Sequence, residues 1–219
     1  LTTLLAHLET LQMKQSELTP QERGEYLDVA TRQSRRIGLL VEQLLEAAKL
    51  EAGQVTVNVE PFPIGELLQD VVQKFALAAR DCGVALEVDA MAAATMVSGD
   101  IALLERVLDN LIDNALRHTP IGGRVTVQSQ PRGERVRVSV TDSGPGLTRE
   151  EAERAFKRFY RGDPGRSTHS GQSGLGLAIV KSILELHGSD VAVESQPGHG
   201  ASFYFELPIV TQPPRTAPT

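Results

Sequence analysis

The sequence is poor in several residue types, and each scarcity excludes a class of protein. Its 219 residues include one cysteine, Cys82, and no tryptophan. A single cysteine cannot close an intramolecular disulfide, which excludes a disulfide framework and is typical of a reducing compartment. The formal net charge of −6 leaves no surplus of basic side chains to neutralise phosphates, so nucleic acid is not expected as the main partner.

Long apolar runs are also missing. The chain contains no run of about eighteen consecutive apolar residues and does not open with a signal peptide. We therefore expect a cytoplasmic polypeptide that makes no membrane contact itself. Its 41% hydrophobic and 23% charged residues are ordinary for a globular protein, so composition alone does not indicate the function.

Two amphipathic helices are predicted at the start of the chain. The first carries a heptad seam of leucines, Leu1, Leu4, Leu8 and Leu11. Because this helix begins in mid-pattern, we expect the chain to be a fragment of a longer protein. Thr19 and Pro20 supply the N-cap and the first-turn proline of a second helix, which is expected to end near Gly53.

These two helices cannot bury their apolar seams alone. Pairing with a second copy into a four-helix bundle is the favoured solution, and packing against the rest of the chain is the alternative. We expect residues 1–53 to form this hairpin and residues 54–210 to form a second domain. Residues 211–219, which contain three prolines, are expected to be a disordered tail.

The second domain is predicted to be an α+β sandwich, with several strands and three long helices on one face. Alternating valines predict a strand over residues 55–59, which Pro61-Phe62-Pro63 should break. Helices are expected over residues 64–82, 148–159 and 175–187, besides the helix described next. The remaining strands are expected over residues 84–88, 95–97, 124–128, 135–140, 191–194 and 201–207.

The most informative stretch is the helix that Asp100 should cap and that should end at Thr119-Pro120. Asn110 and Asn114 are four residues apart and therefore share one side of this helix. Asparagine is a poor residue inside a helix, because its amide competes for backbone hydrogen bonds. The pair indicates either a solvated face or two amide oxygens that converge on a cation or a phosphate.

Two glycine-containing strings follow. In Asp142-Ser143-Gly144-Pro145-Gly146 the glycines let the backbone turn sharply, and a carboxylate at the strand end could accept a hydrogen bond from the exocyclic amine of adenine. In the second string, Gly171-Gln172-Ser173-Gly174-Leu175-Gly176, the glycines run into the N-terminus of a helix, where free amides favour an anion.

Phe156-Lys157-Arg158-Phe159-Tyr160-Arg161 precedes a polar, glycine-rich segment that ends at Gly174. This arrangement indicates a lid hinged on an aromatic plug. The alternative is an aromatic pair that only anchors the core.

The order and spacing of these strings resemble the N, G1, F and G2 boxes of the sensor histidine kinases of two-component systems, which share the Bergerat (GHKL) ATP-binding fold. The resemblance covers residues 55–207 and rests on Asn110-x-x-x-Asn114, Asp142-x-Gly-x-Gly146, the Phe156/Phe159 pair and Gly174-x-Gly176. The two leading helices resemble the dimerisation and histidine-phosphotransfer domain of the same family.

The resemblance implies a Mg-ATP site. Asn114 would be the magnesium ligand with Asn110 assisting, Arg117 would pair with phosphate oxygens, and His118 would lie against the nucleotide. Asp142 would hold the adenine amino group. The implied catalytic residues are Asn110, Asn114 and Arg117, and the metal ligands are the two asparagines. The other implied nucleotide-binding residues belong to the G1, F and G2 boxes and the lid: Gly144, Gly146, Leu147, Phe159, Tyr160, Arg161, Ser173, Gly174, Leu175, Gly176 and Leu177.

The residue at Asn110 favours phosphoryl transfer over hydrolysis. Related ATPases such as DNA gyrase and MutL have a water-activating glutamate there, and an amide cannot act as a general base. Glu105 is a poor substitute, because it lies about 140° away around the helix. The resemblance therefore implies transfer to a histidine and then to an aspartate of a response regulator. An ATP-hydrolysing conformational clamp and a nucleotide-binding dimeric scaffold are the alternatives.

The phosphoacceptor motif of the family, a histidine with a following carboxylate and Arg-Thr-Pro, is absent. It is expected shortly upstream of Leu1, as is a membrane anchor. His7 lacks this context and is interpreted as a solvated helix residue, so we expect no autophosphorylation of this polypeptide alone; label from γ-labelled ATP on His7 would contradict this. His169, His187 and His199 have no metal-ligand spacing and are assigned no role.

Overall fold

The computed structural model describes residues 2–13, 18–160 and 174–210. The chain divides into two compact units, Leu1–Ala48 and Lys49–Thr219. The helices are α1 (Thr2–Met13), α2 (Pro20–Glu51), α3 (Ile64–Asp81), α4 (Ile101–His118), α5 (Arg149–Arg154) and α6 (Gly176–Leu186). The strands are β1 (Glu60–Pro63), β2 (Ala85–Ala90), β3 (Met96–Gly99), β4 (Arg124–Arg132), β5 (Arg135–Asp142), β6 (Val191–Ser195) and β7 (Ala201–Pro208). The predicted tail, residues 211–219, lies outside the described residues.

Helix α2 begins and ends where the sequence predicts. At its start, Glu22 N donates to Thr19 Oγ1 at 3.3 Å and Thr19 N donates to Glu22 Oε2 at 2.9 Å, which is a capping box. At its end Gly53 has φ of 64°, and Gln54 N donates to Lys49 O at 3.0 Å, as in a Schellman motif. None of the helices in the described ranges is long and apolar enough to cross a membrane.

Part of the apolar surface of α2 remains accessible in this chain, although Ala30 is buried. Leu27, Val41 and Leu44 have exposed fractions of 49%, 50% and 51%. Half-exposed leucines and valines along one helix are typical of a surface that another helix covers. This exposure fits the bundle that the sequence predicts, which stays a prediction.

A five-stranded sheet in the order β2-β4-β5-β7-β6 forms the body of the second unit. Only the β2–β4 pair is parallel. Along β5 every second residue is buried, namely Val136, Val138, Val140 and Asp142, so one face of the sheet carries the core. Helices α3, α4 and α6 pack on this face, and the predicted α+β sandwich is confirmed.

The strand predicted over residues 55–59 is wrong. The strand is β1, and it contains the two prolines that were expected to break it; it pairs with β3, with Phe62 opposite Val97. Pro61 and Pro63 alternate, so both missing N–H groups lie on one edge of β1 and the other edge can form the ladder. Residue Asn58 is held differently, since its backbone N donates to Asp100 Oδ2 at 2.8 Å.

Helix α5 is shorter than predicted. Its start is correct, because Thr148 and Glu151 form a reciprocal capping box. Beyond Arg154 the chain turns, with Phe156 packed edge-on against Phe203 of β7 at a centroid distance of 6.1 Å. Phe159 then takes a positive φ of 57°, which is incompatible with a continuing helix.

Candidate functional site

Helix α4 presents the two asparagines because its other side is fixed in the core. Asp100 caps the helix, its Oδ1 accepting from Leu103 N at 3.1 Å, as predicted. The buried residues of α4 are all apolar: Leu104, Val107, Leu108, Leu111, Ile112, Ala115 and Leu116. Asn110 and Asn114 are half-buried on a different face. Neither asparagine is therefore on a fully solvated surface.

The amide of Asn110 is oriented by its own helix and aimed at α6. Its Nδ2 donates to Arg106 O at 2.8 Å, so the oxygen is directed the other way. A Cβ added to Gly176, the first residue of α6, would lie 2.9 Å from Asn110 Oδ1. The N box and the G2 box thus meet, and a larger residue at Gly176 would displace the amide oxygen of Asn110. Leu175, which precedes α6, has no polar side chain to cap the amides of the first turn.

Asp142 ends β5 with an exposed fraction of only 6%. Burial raises the pKa of this carboxyl above its ordinary value, while the N–H groups of Gly144 and Ala201 and the charge of His118 oppose the shift. Gly144 N donates to Asp142 Oδ1 at 2.8 Å. A buried carboxylate held in this way can accept a hydrogen bond from a ligand amine.

The loop after Asp142 is packed tightly against its neighbours. A Cβ on Gly144 would lie 2.6 Å from His118 O, which places the G1 loop against the end of α4. Gly146 has φ of 67°, and a Cβ there would collide with Gln196 O. Leu147 N donates to Ser195 Oγ at 2.7 Å. Both glycines are therefore required by close approach of backbones.

The turn between β6 and β7 supports this loop, and the sequence did not indicate it as part of the site. Gly198 N donates to Pro145 O at 2.7 Å, and Ser195 Oγ donates to Gly200 O at 2.6 Å. Gly200 has φ of 78°, and a Cβ there would collide with Asp142 O. In the sequence, Pro197-Gly198-His199-Gly200 lies between the strands expected over residues 191–194 and 201–207. Nothing local in it signals contact with β5.

Arg117 is engaged with its own helix. Its Nε and Nη2 lie 3.1 and 3.0 Å from Asp113 Oδ1, and Nη2 lies 2.7 Å from Asp113 Oδ2. The guanidinium must leave this partly exposed pair, or share it, to contact a phosphate. Exposed ion pairs at this spacing stabilise by only about 0.3–0.5 kcal/mol, so breaking the pair with Asp113 costs little free energy.

The F box and the G2 box contact each other. Phe159 N donates to Gly174 O at 2.9 Å, and a Cβ on Gly174 would lie 2.8 Å from Phe159 Cα. Phe156 anchors the core, whereas Phe159 has an exposed fraction of 63%. Arg154 lies over the ring of Tyr160 at 4.7 Å. Arg161 and Ser173 lie outside the described residues.

The structure thus brings several of the predicted residues into contact around α4. Asp142, Gly144 and His118 meet at its C-terminal end, Asn110 in its middle meets Gly176, and Leu147 is bound to Ser195 of β6. Leu175 is buried at 2% exposure, and Leu177 follows it at the start of α6. No group of three or more His, Cys, Asp or Glu side chains able to hold a metal occurs in the described part of the chain. Amide oxygens remain suitable ligands for magnesium, which prefers oxygen.

Two domain families match this chain. Residues 99–211 match the family described as histidine kinase-, DNA gyrase B-, and HSP90-like ATPase. Residues 1–53 match the His Kinase A (phospho-acceptor) domain. The first match contains the asparagine pair, both glycine boxes and α6.

Individual proteins are also similar to this chain. The sensor-like histidine kinase SenX3 of Mycobacterium tuberculosis is 34% identical over 82% of this chain, which spans 44% of SenX3. The structure of full-length ShkA in complex with AMPPNP has a TM-score of 0.75 at 26% identity, covering 96% of this chain and 43% of ShkA. The Acinetobacter baumannii histidine kinase AdeS has the same fold, with a TM-score of 0.76 at 24% identity over 96% of this chain and 95% of the AdeS chain.

Proposed function

We propose that this chain, which belongs to the histidine kinase-, DNA gyrase B-, and HSP90-like ATPase family, is the kinase core of a two-component sensor histidine kinase and binds Mg-ATP. The observation that carries the proposal is that α4 contacts both glycine boxes: Gly144, bound to the buried carboxylate of Asp142, lies against His118, and Gly176 lies against Asn110. The AMPPNP bound to ShkA, a relative of known structure, supports a nucleotide ligand.

Each residue has a role that its surroundings allow. Asp142 accepts from the adenine amino group, and Gly144 and Gly146 shape the base pocket by letting its loop pack closely on the neighbouring backbone. Asn114 and Asn110 contribute amide oxygens to magnesium beside the phosphates. Gly176 starts α6 at the phosphates, whose charge the first-turn amides favour. ATP, when bound, supplies the γ-phosphoryl group.

The remaining nucleotide contacts follow from position along the chain. Arg117 exchanges Asp113 for a phosphate oxygen, and His118 lies against the nucleotide. The rest of the nucleotide-binding residues line the G1 loop and both ends of the lid: Leu147, Phe159, Tyr160, Arg161, Ser173, Gly174, Leu175 and Leu177.

The γ-phosphoryl group of ATP passes to a histidine, leaving ADP, and then to an aspartate on the receiver domain of a response regulator. Residues 1–53 match the phospho-acceptor domain family, which supports a homodimer formed through α1 and α2. The half-exposed apolar residues of α2 provide a surface for that pairing.

Hydrolysis of ATP is disfavoured by the surroundings of Glu105. Its Oε1 lies 2.9 Å from Lys74 Nζ, which also binds both oxygens of Asp109 at 2.8 and 3.0 Å. Hydrogen bonds to Asp109 and Glu105 raise the pKa of Lys74. The carboxylate is thus directed toward α3, away from Asn110, and does not replace the missing general base.

Mg-ADP and Mg-ATP are expected to stabilise this chain, and Asn114→Ala should remove the magnesium-dependent part. At about a hundred times Kd, binding stabilises the folded state by roughly 2.7 kcal/mol, or about 5–10 °C in midpoint. Because the chain has no tryptophan, the transition should be followed with a dye or by calorimetry. ATP with a chelator gives the metal-free reference.

Asn58→Ala is the matched control, since this exposed asparagine contributes only its backbone N–H to Asp100. It should bind like the wild type. A wild-type chain that shows no shift with any nucleotide would contradict the proposed function and favour a dimeric scaffold. A shift that Asn114→Ala leaves intact would instead contradict the metal assignment.

A further inference from the structure

An imidazole joins the two helices that carry the N and G2 boxes. His187 follows the last residue of α6, and its Nε2 accepts a hydrogen bond from Asp100 N at 3.0 Å. Its Nδ1 lies 2.8 Å from Ile183 O. A carbonyl oxygen can only accept and a backbone N–H can only donate, so the proton is on Nδ1 and Nε2 is unprotonated. The two contacts together select one neutral tautomer.

The residue to which this imidazole binds is held in place. The ring also packs beside Gly99, where a Cβ would lie at ordinary van der Waals distance from it, 3.4 Å from Cδ2 and 3.6 Å from Nε2, but only 2.5 Å from Leu104 Cδ1. Asp100 is itself fixed, because its Oδ1 accepts from Leu103 N and its Oδ2 accepts from Asn58 N. The amide that His187 binds therefore belongs to an immobilised residue.

The two ends of the α4–α6 pair contain the two specific contacts. His187 meets Asp100 at one end, and Gly176 meets Asn110 at the other. At 1.5 Å per residue, the stretch from Asn110 back to Asp100 spans about 15 Å and the stretch from Gly176 to His187 spans about 16.5 Å. The two helices are antiparallel neighbours, so a contact at one end of the pair also fixes how the helices meet at its other end.

Apolar packing alone would leave this position loosely defined. All buried residues of α6 are apolar, namely Ala178, Ile179, Val180, Ile183 and Leu184, as are those of α4. Burial of apolar surface is non-directional, so such a contact tolerates sliding and repacking. The hydrogen bond between His187 and Asp100 is directional and is the polar contact found at this end of the pair.

We propose that His187 is a positioning residue for the nucleotide site. Its Nε2, bound to Asp100 N, sets the axial position of α6 on α4 and so places Gly176 and the first-turn amides against Asn110. This inference rests on the proposed function, since the affected property is nucleotide affinity. His187 itself contacts no nucleotide; it acts through α6.

Two amide substitutions separate the two contacts of the imidazole. In His187→Gln the side-chain oxygen reaches the position of Nε2 and can accept from Asp100 N. In His187→Asn the amide reaches only the position of Nδ1 and can bind Ile183 O but not Asp100. The variants have the same functional group, and each retains one contact. Kd for Mg-ADP should be measured by calorimetry on the full chain, together with the thermal midpoint without nucleotide.

We expect His187→Gln to stay within about twofold of the wild-type Kd and His187→Asn to bind at least about fivefold more weakly, the lower end of typical coupling between sites. The two thermal midpoints should fall by similar amounts. Equal affinities in both variants, whether unchanged or equally weakened, would overturn the positioning role. A wild-type chain that does not bind Mg-ADP would overturn the proposed function itself, which is a distinguishable result.

A spectroscopic measurement keeps the inference testable if a variant fails to fold. Long-range ¹H–¹⁵N spectra of the wild-type chain distinguish the two neutral tautomers of histidine and the imidazolium. We expect His187 to show a protonated Nδ1 and an unprotonated Nε2 at pH 7. A proton on Nε2 would overturn the inference, because Nε2 could then not accept from Asp100 N.

Discussion

Replacing Asp142 with asparagine should nearly abolish nucleotide binding while leaving the second unit at least as stable at neutral pH. The carboxylate is buried, and its Oδ1 already accepts from Gly144 N. In Asp142→Asn the amide oxygen retains that bond, so the other position becomes an NH₂ donor facing the adenine amino group. The lost charged acceptor and the two donors left unpaired should together weaken the free energy of nucleotide binding by about 3–5 kcal/mol. This corresponds to an increase in Kd of more than about a hundredfold.

The expected stability change follows from the direction of the pKa shift. Burial raises the folded-state pKa of Asp142 above its unfolded value. The contribution of such a group to stability is fully present below the unfolded pKa of about 3.9 and is lost as pH rises through the folded pKa. Asparagine does not titrate, so Asp142→Asn does not lose this contribution as pH rises. The thermal midpoint of Asp142→Asn minus that of the wild type should therefore grow from about pH 4 to about pH 7.

Asp89→Asn is the matched control for this substitution. Asp89 is exposed on β2, where it accepts from Gln128 Nε2 at 3.0 Å. It should leave the Mg-ADP affinity measured by calorimetry unchanged. An Asp142→Asn chain that binds within about threefold of the wild type would refute the role of Asp142 in base recognition. If Asp142→Asn were less stable than the wild type at pH 7, desolvation would not be the dominant influence on the pKa of Asp142.

A methyl group at Gly146 is expected to cause the largest loss of stability of any single substitution considered. Gly146 has φ of 67°, and a Cβ there would collide with Gln196 O. The left-handed conformation costs about 1–2 kcal/mol for alanine. Separation of the G1 loop from the β6–β7 turn would also weaken the bonds from Leu147 N to Ser195 Oγ and from Gly198 N to Pro145 O, each worth about 1 kcal/mol.

Gly198→Ala, in the same turn, separates strain from collision. Gly198 has φ of 84°, but a Cβ there would have no atom within 4 Å. We expect Gly198→Ala to lose about 1–2 kcal/mol and Gly146→Ala about 3–5 kcal/mol in denaturant unfolding, with weaker Mg-ADP binding only for the latter. Equal losses would mean that the close approach of Gly146 to Gln196 has no energetic consequence.

Sequence patterns were sufficient wherever the determining contacts are local. The cap at Asp100, the capping boxes of α2 and α5, and the end of α2 at Gly53 all depend on residues within one or two turns of each other. The apolar spacing of α4 also fixed which side is buried, and thereby placed both asparagines on another face. The boxes could be assigned to the family because their order and spacing are properties of the chain itself.

Local patterns failed where a distant partner decides the outcome. Residues 55–59 alternate like a strand, yet the strand observed, β1, begins only at Glu60. It forms there because β3 pairs with Phe62 and the prolines on either side of it. The helix predicted to reach Phe159 ended early, because Phe156 packs on β7 and Phe159 closes onto Gly174. In both cases tertiary packing overrode a periodicity that is only a weak preference.

The sequence by itself determined the family and the residue types of the proposed nucleotide site. Only the tertiary structure decided how that site is supported: Gly200 lies against Asp142, Ser195 holds Leu147, and His187 meets Asp100. The physical reason is that hydrogen bonds and steric exclusion act over a few ångströms between residues far apart in the chain. The periodicity of a single helix or strand does not indicate which distant residues will be neighbours in the folded protein.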